Sequence, residues 1–166
     1  MKTLILARHA KSEWPDGVRD LDRPLKERGR KDAAYLAGLL ADQGVVPDLI
    51  ISSPAQRARQ TAGIFAQQLA YPRPLQIEPA VYYDGINGLL SLIGDLPDDV
   101  DTVMIFGHNP TMEDMVTRLL RSQVEFTLPT SALACFESWA VSWAQFAPAN
   151  LHLRWLLVPR LQRKSS

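Results

Sequence analysis

Short apolar runs recur along the chain, and polar residues and then a segment with helically spaced apolar positions follow most of them. The clearest run, DTVMIFG at 101–107, is nearly continuous and too short for a core helix, as is typical of strands covered on both faces. The predicted strands are 3–7, 48–53, a short one near 75–78, 101–107, 132–138 and 151–158.

The segments between these runs predict four helices, because their apolar residues recur every three or four positions. The first carries Leu36 and Leu40 and precedes Gly44, a residue typical of helix ends. The second has Ser53 as its predicted N-cap and Pro54 as its first helical residue. The predicted helices are 25–43, one from 54 that ends before 72, 86–96 and 111–121.

Strands that alternate with helices predict a mostly parallel sheet with helices on both faces, which is an α/β fold. A chain of 166 residues is long enough to bury one hydrophobic core. We therefore expect a single domain over 1–160 and a frayed basic tail at 161–166.

Basic and hydroxyl side chains stand at the carboxyl ends of three predicted strands. Arg8 and His9 follow the first strand, Ser53 ends the second, and His108 follows the strand at 101–107. Ligands of such sheets bind beyond the carboxyl ends of the strands. Arg57 falls in the first turn of the second helix, and helical side chains lean toward the helix N-terminus, so it points to the same edge.

Two arginines and two histidines at one edge make a concentrated anion site, and the forked donors of arginine match phosphate oxygens. A neutral imidazole in such a site is a nucleophile that can carry a phosphoryl group. Surrounding positive charge favours the neutral ring, and a carbonyl or carboxylate that accepts from its other nitrogen would fix the tautomer. The pattern predicts phosphate chemistry.

The composition makes several other functions unexpected. Eighteen basic and eighteen acidic residues balance, so nucleic acid is not an expected partner. No apolar run has the length of a membrane span or a signal-peptide core, so we expect a cytoplasmic protein without a membrane partner. Cys135 is expected to be a buried apolar residue. No metal-ligand set surrounds His9, and neither GxxxxGK nor GxGxxG occurs.

The chain contains, in this order, the segments ARHAKSEW, DRPLKERG, SSPAQRARQTA, FGHNPTME and PTSALA. This ordered set resembles the histidine phosphatase superfamily, the phosphoglycerate mutase-like group (branch 1), and within it the short SixA-like phosphohistidine phosphatases. The resemblance implies that His9 is the nucleophile and that Arg8, Arg57 and His108 bind phosphate. It also implies a three-layer α/β/α fold with a mostly parallel central sheet, and no metal or other cofactor.

Two departures from the family pattern weaken the mutase interpretation. Ala10 stands where the family has glycine, and Pro15 stands where mutases have asparagine. Larger members also carry a glutamate that protonates the leaving oxygen, and here only Glu78 and Asp84 are candidates; we choose Asp84. The leaving imidazole of a phosphohistidine needs less help from an acid than an alkoxide does, which favours a phosphoramidate substrate.

The polar residues near the predicted site leave alternatives open. Lys11 and Ser12 either contact phosphate or face solvent, and Thr130 and Ser131 either donate a hydroxyl to the pocket or begin the next strand. Arg59 lies on a different helix face from the predicted phosphate ligand two positions before it, so we expect it at the surface.

Other polar and aromatic residues are expected to be structural. His152 alternates with leucines along the last strand and is interpreted as structural. The four tryptophans are interpreted as packing groups, with Trp14 as the one that could border the mouth of the site. A charged cluster is interpreted as a solvated helix start: Asp22, Arg23 and Glu27.

The leading interpretation is a metal-independent phosphatase that works through a phosphorylated His9 on phosphohistidine in another protein. The short chain leaves little material for a lid, which predicts a shallow, open pocket that admits a partner's side chain. The alternatives are a broad phosphomonoesterase for small phosphate esters and a non-catalytic phosphate-binding module. Loss of hydrolysis with retained phosphate affinity in His9→Ala would separate the enzyme from the module.

Overall fold

The computed structural model describes residues 1–159, and the predicted tail at 161–166 lies outside them. The strands are β1 (Lys2–Arg8), β2 (Leu49–Ser52), β3 (Gln76–Ile77), β4 (Thr102–Gly107), β5 (Leu133–Ser138) and β6 (Leu151–Leu157). The helices are α1 (Glu27–Asp42), α2 (Gln56–Gln68), α3 (Ala80–Tyr83), α4 (Gly85–Gly94) and α5 (Thr111–Leu119). Within residues 1–159, no helix has the length and apolar composition needed to cross a bilayer.

All six strands join one sheet in the order β3–β2–β4–β1–β5–β6. The first four in this order are mutually parallel, β5 is antiparallel to β1, and β6 is antiparallel to β5. The prediction of a mostly parallel sheet is confirmed. Arg8 of β1 pairs with Gly107 of β4, and Ser52 of β2 pairs with Phe106. The residues that follow these three strands therefore emerge at one edge.

Helices cover both faces of the sheet, which gives the expected three layers. On β1, Leu4 and Leu6 face one core while Ile5 and Ala7 face the other, as strand alternation requires. Residues of α4 and α5 fill the first core, and residues of α1 and α2 fill the second. Burial of each large apolar side chain contributes about 1.5–3 kcal/mol, so β1 is a firm support for the residues that follow it.

The start of α1 packs against the loop that follows β1. The amide of Lys26 donates to the Lys11 carbonyl at 2.9 Å. A Cβ on Gly29 would lie 2.2 Å from the same carbonyl oxygen, so a side chain at this position would displace backbone. Glycine therefore allows the first loop to lie close to α1.

Two local predictions are wrong. Helix α2 begins at Gln56 and not at Pro54, because the amide of Ser53 still donates to the Phe106 carbonyl at 3.0 Å and continues the sheet pairing. Ser53 is consequently not the N-cap, and Ala55 is the residue before the helix. The helix α3 is absent from the predictions because four residues are too few to show helical periodicity.

Candidate active site

His9 is the first residue beyond β1, and neighbouring segments hold its backbone on both sides. Its amide donates to the Gly107 carbonyl at 3.0 Å, and its carbonyl accepts from the Ser131 amide at 3.1 Å. The residue is 8% exposed. Its position is therefore fixed by the sheet before any side-chain contact is made.

The two nitrogens of the His9 ring have different partners, which defines the tautomer. Nδ1 lies 2.8 Å from the carbonyl oxygen of Ala10, which can only accept, so Nδ1 carries the proton. Nε2 accepts from Arg57 Nε at 3.3 Å and therefore carries no proton. The expectation that a carbonyl or carboxylate fixes the tautomer is confirmed. Nε2 is the unprotonated nitrogen, and its lone pair can attack an electrophile when the Arg57 N–H turns to another acceptor.

Alanine is compatible with the position after His9. Ala10 is fully buried, its φ is not positive, and its amide donates to Thr61 Oγ1 at 3.0 Å. Thr61 Oγ1 in turn donates to the carbonyl of Arg57 at 2.7 Å. The backbone that follows the nucleophile is thereby tied to α2.

Arg57 lies in the first turn of α2 and is 6% exposed. Its Nη1 donates to the Asp20 carbonyl at 2.7 Å, and its Nη2 donates to Asp20 Oδ2 at 3.1 Å. With the bond to His9, three of its N–H groups are used, and arginine has about five, so two remain for another acceptor.

His108 follows β4 and lies beside His9, with their ring centroids 5.1 Å apart. Its Nε2 forms a 2.7 Å hydrogen bond with Ser53 Oγ, which places this hydroxyl in the site. The ring of Tyr82 packs edge-on against His108 with the centroids 5.5 Å apart. Three segments distant in the sequence thus meet around two imidazoles.

Arg8 ends β1, and its Nη1 donates to the Leu128 carbonyl at 2.9 Å. The amide of Leu128 donates to Glu113 Oε1 at 2.7 Å, so the segment beside Arg8 is anchored to α5. Burial lowers the pKa of Arg8, and the nearby carboxylate of Glu113 opposes this effect.

Buried polar atoms without a hydrogen-bond partner among residues 1–159 concentrate around His9. They are Arg8 Nε, His108 Nδ1, Ser131 Oγ and Asn109 Oδ1. Buried polar groups are normally satisfied, so these atoms have a hydrogen-bonding capacity that the described residues do not use. The oxygens of a phosphoryl group match the donors in this set.

Both histidines are neutral at physiological pH. Burial lowers the pKa of His9 to about 3 despite the hydrogen bond to the Ala10 carbonyl, and the positive charges of Arg57 and Arg8 act in the same direction as burial. Burial, followed by the charge of Arg57, lowers the pKa of His108 to about 4. A neutral His9 keeps the Nε2 lone pair that nucleophilic attack requires.

The sequence profile of the histidine phosphatase superfamily (branch 1) matches residues 4–81. An uncharacterised chloroplastic protein of Arabidopsis thaliana is 33% identical over 170 residues, which are 95% of this chain and 78% of the relative. The crystal structure of a putative phosphohistidine phosphatase SixA from Agrobacterium tumefaciens is 33% identical, with a TM-score of 0.77 over 95% of this chain and 98% of that one. The chain belongs to the histidine phosphatase superfamily, branch 1.

A further relative of this histidine phosphatase is the phosphohistidine phosphatase SixA of Escherichia coli K12. It is 27% identical over 145 residues, which are 83% of this chain and 89% of the relative. The predicted SixA-like resemblance and the phosphoglycerate mutase-like fold are confirmed. The protein is therefore an enzyme of the phosphatase class, which disfavours the alternative of a non-catalytic module.

The histidine phosphatase site contains one carboxylate that the sequence interpretation missed. Asp20 Oδ1 accepts from Arg23 at 3.0 Å, and Oδ2 accepts from Tyr82 Oη at 2.6 Å and from Arg57. Burial alone would raise the pKa of Asp20, but these hydrogen bonds outweigh it and lower the pKa to about 2. Its partners Arg57 and Tyr82 are 37 and 62 residues away, so no local pattern marks it.

The two candidates for the acid have different surroundings. Asp84 is exposed, and its carbonyl accepts from the Gly88 amide at the start of α4. Glu78 Oε1 accepts from Gln76 Nε2 at 2.7 Å. The role of Asp84 as an acid stays a prediction, as do the catalytic roles of the other site residues.

The structure decides some of the alternatives that the sequence left open for polar residues around the site. Lys11 is exposed, while Ser12 Oγ accepts from Arg23 Nη2 at 2.9 Å, beside the site. Ser131 is buried next to His9, with a hydroxyl that has no partner in the described part of the chain. Arg59 is exposed, as expected.

Two structural interpretations are wrong in part. The Arg23 side chain is only 18% exposed and binds Asp20, so it is not part of a solvated helix start. Trp14 and Trp139 are 64% and 69% exposed, so they are not packing groups, whereas Trp143 is buried. His152 forms a 3.5 Å contact with Glu137 on the neighbouring strand, consistent with a structural role.

No group of three histidine, cysteine, aspartate or glutamate side chains suited to a metal ion occurs within residues 1–159. The expectation of a metal-independent reaction stays a prediction.

Proposed function

We propose that this histidine phosphatase removes the phosphoryl group from phosphohistidine in another protein through a phosphorylated His9. One observation carries the proposal: a neutral imidazole whose Nδ1 is bound to the Ala10 carbonyl presents Nε2 beside Arg57. A nucleophile needs this combination of fixed tautomer, available lone pair and adjacent positive charge.

The reaction has two steps. In the first, the far nitrogen of the substrate ring takes a proton from solvent, His9 Nε2 attacks phosphorus, the Nε2–P bond forms, and the P–N bond of the substrate breaks to release a neutral imidazole. In the second, a water oxygen attacks phosphorus, the Nε2–P bond breaks, and phosphate leaves with the proton lost by water. His9 ends neutral and ready for another cycle, since the Ala10 carbonyl holds its Nδ1 proton throughout.

The phosphoryl oxygens would lie among Arg57, Arg8 and His108. Arg57 retains unused N–H groups, and Arg8 Nε and His108 Nδ1 are buried without partners in the described residues. Guanidinium groups stabilise the charge on equatorial oxygens during transfer. Arg57 also contacts the attacking nitrogen, so it can align phosphate with the nucleophile.

Asp20 cannot protonate a leaving group, which leaves the exposed Asp84 as the predicted acid and favours a phosphoramidate substrate over an alkyl ester. With a pKa of about 2, the carboxyl of Asp20 is ionised at neutral pH and has no proton to give. The hydroxyl of Tyr82 donates to it, and this hydrogen bond raises the pKa of the tyrosine. An alkoxide leaving group needs a strong acid, whereas the far nitrogen of a phosphohistidine ring can take its proton from water.

The names of two relatives support phosphohistidine as the substrate. Phosphohistidine is the substrate in the names of the A. tumefaciens and E. coli relatives. The proposal keeps the cytoplasmic location expected from the sequence.

The test incubates the protein, in chelator, with a histidine-phosphorylated protein and with a panel of alkyl phosphates. We expect at least about 100-fold higher kcat/KM on phosphohistidine, which corresponds to about 2.7 kcal/mol. His9→Ala should abolish turnover, and His152→Ala, on the distant strand β6, should not. A preference of several orders for the alkyl esters would support the small-molecule phosphomonoesterase instead.

A further inference from the structure

Two exposed aromatic side chains near the active site each pack against a residue that belongs to the hydrogen-bond network of the site. Trp14 is 64% exposed and Tyr83 is 63% exposed. The guanidinium of Arg23 lies 4.1 Å from the centroid of the Trp14 ring, and the ring of Tyr83 packs edge-on against Tyr82 with the centroids 4.7 Å apart. Each ring is therefore held while much of its surface faces solvent. We call Trp14 and Tyr83 the aromatic rim.

Asp20 joins the groups behind both rings of the aromatic rim. Its Oδ1 accepts from Arg23 at 3.0 Å, and its Oδ2 accepts from Tyr82 at 2.6 Å. Oδ2 also accepts from Arg57, which contacts His9 Nε2. The two rings are thus linked through one carboxylate to the arginine that faces the nucleophile.

When the phosphorus of a substrate contacts His9 Nε2, the rest of the substrate must lie on the solvent side of the phosphoryl group. Aromatic faces and edges bind other planar rings well, and they bind cationic rings better. The imidazole of a phosphohistidine is such a ring, and it becomes cationic when its far nitrogen takes up a proton.

We propose that the aromatic rim receives the imidazole ring of the phosphohistidine substrate and sets the preference for a leaving group that contains a ring. This proposal rests on the proposed function, which names no residue that contacts the leaving group. The rim acts on the leaving group and not on the phosphoryl group, so its removal affects substrates with a ring selectively.

The test compares two substrates that share a P–N bond and differ in the ring, phosphohistidine and phosphoramidate. Trp14→Ala and Tyr83→Ala are each expected to lower kcat/KM for phosphohistidine about tenfold and to change it less than about twofold for phosphoramidate. Trp14→Phe keeps a ring and should retain most of the activity. Trp139→Ala is the matched control, because Trp139 is 69% exposed but follows β5 where Ser138 pairs with Lys2, at the opposite edge of the sheet.

Equal losses on both substrates would show that the rim residues only hold Arg23 and Tyr82 in place, and would overturn the proposal; so would unchanged activity. If Trp14→Ala does not fold, Trp14→Phe and Tyr83→Ala decide the question. If the unmutated protein hydrolyses neither P–N substrate, the proposed function fails by itself. The rim is then judged with the same variants on phenyl phosphate against ethyl phosphate.

Discussion

Acidification from pH 7 to pH 5 is expected to destabilise the fold through the two histidines of the active site. In the unfolded chain each histidine takes up a proton below about pH 6.5. In the folded protein the pKa of His9 is about 3 and that of His108 is about 4, so neither is protonated at pH 5. The unfolded state therefore binds more protons, and stability falls as pH decreases through this window.

The magnitude follows from the same values. A pH of 5 lies about 1.5 units below the pKa of a histidine in the unfolded chain. Protonation there favours the unfolded state by about 2 kcal/mol per histidine, or about 4 kcal/mol for the two. Asp20 contributes little at pH 5, because its folded pKa of about 2 and the ordinary value of 3.8 both lie lower. A loss of this size is a large fraction of the stability of a typical domain.

The assay is urea unfolding at pH 7 and pH 5 in buffers without phosphate, for the unmutated protein and for His9→Asn. The variant loses one titrating ring, so its difference between the two pH values should shrink to about 2 kcal/mol. A difference below about 1 kcal/mol in the unmutated protein would contradict the reasoning. An undiminished difference in the variant would do the same.

Three further substitutions test the contacts around the site. Arg57→Lys cannot reproduce the three hydrogen bonds to His9 and Asp20, so steady-state kinetics should show kcat/KM lower by about 100-fold or more. Asp20→Asn removes the charge that holds Arg57, and steady-state kinetics should show kcat about tenfold lower. Gly29→Ala forces a Cβ against the Lys11 carbonyl, and urea unfolding should show a loss of about 1–3 kcal/mol.

The convergence of His9, Ser53 and His108 could be predicted because each follows a buried apolar strand of a parallel sheet. Arg57 could be placed by its distance from the helix start, even though α2 begins two residues later than predicted. In these cases one local pattern and one rule of sheet geometry were sufficient.

Asp20 and the aromatic rim could not be found in this way. Asp20 lies in an irregular polar loop, and its partners Arg57 and Tyr82 come from two other segments, so its role depends on tertiary contacts alone. The exposure of Trp14 likewise depends on how the first loop packs, and residue type alone favours burial of tryptophan.

The central claim is that His9 Nε2 carries the phosphoryl group while Nδ1 stays bound to the Ala10 carbonyl. The most direct measurement is NMR of the phosphoenzyme trapped by rapid mixing with phosphoramidate, with 31P and 15N detection on labelled histidine. We expect an acid-labile phosphorus bonded to Nε2 of His9 and no such species in His9→Ala. Phosphorus on Nδ1, on His108, or on no histidine during turnover would contradict it.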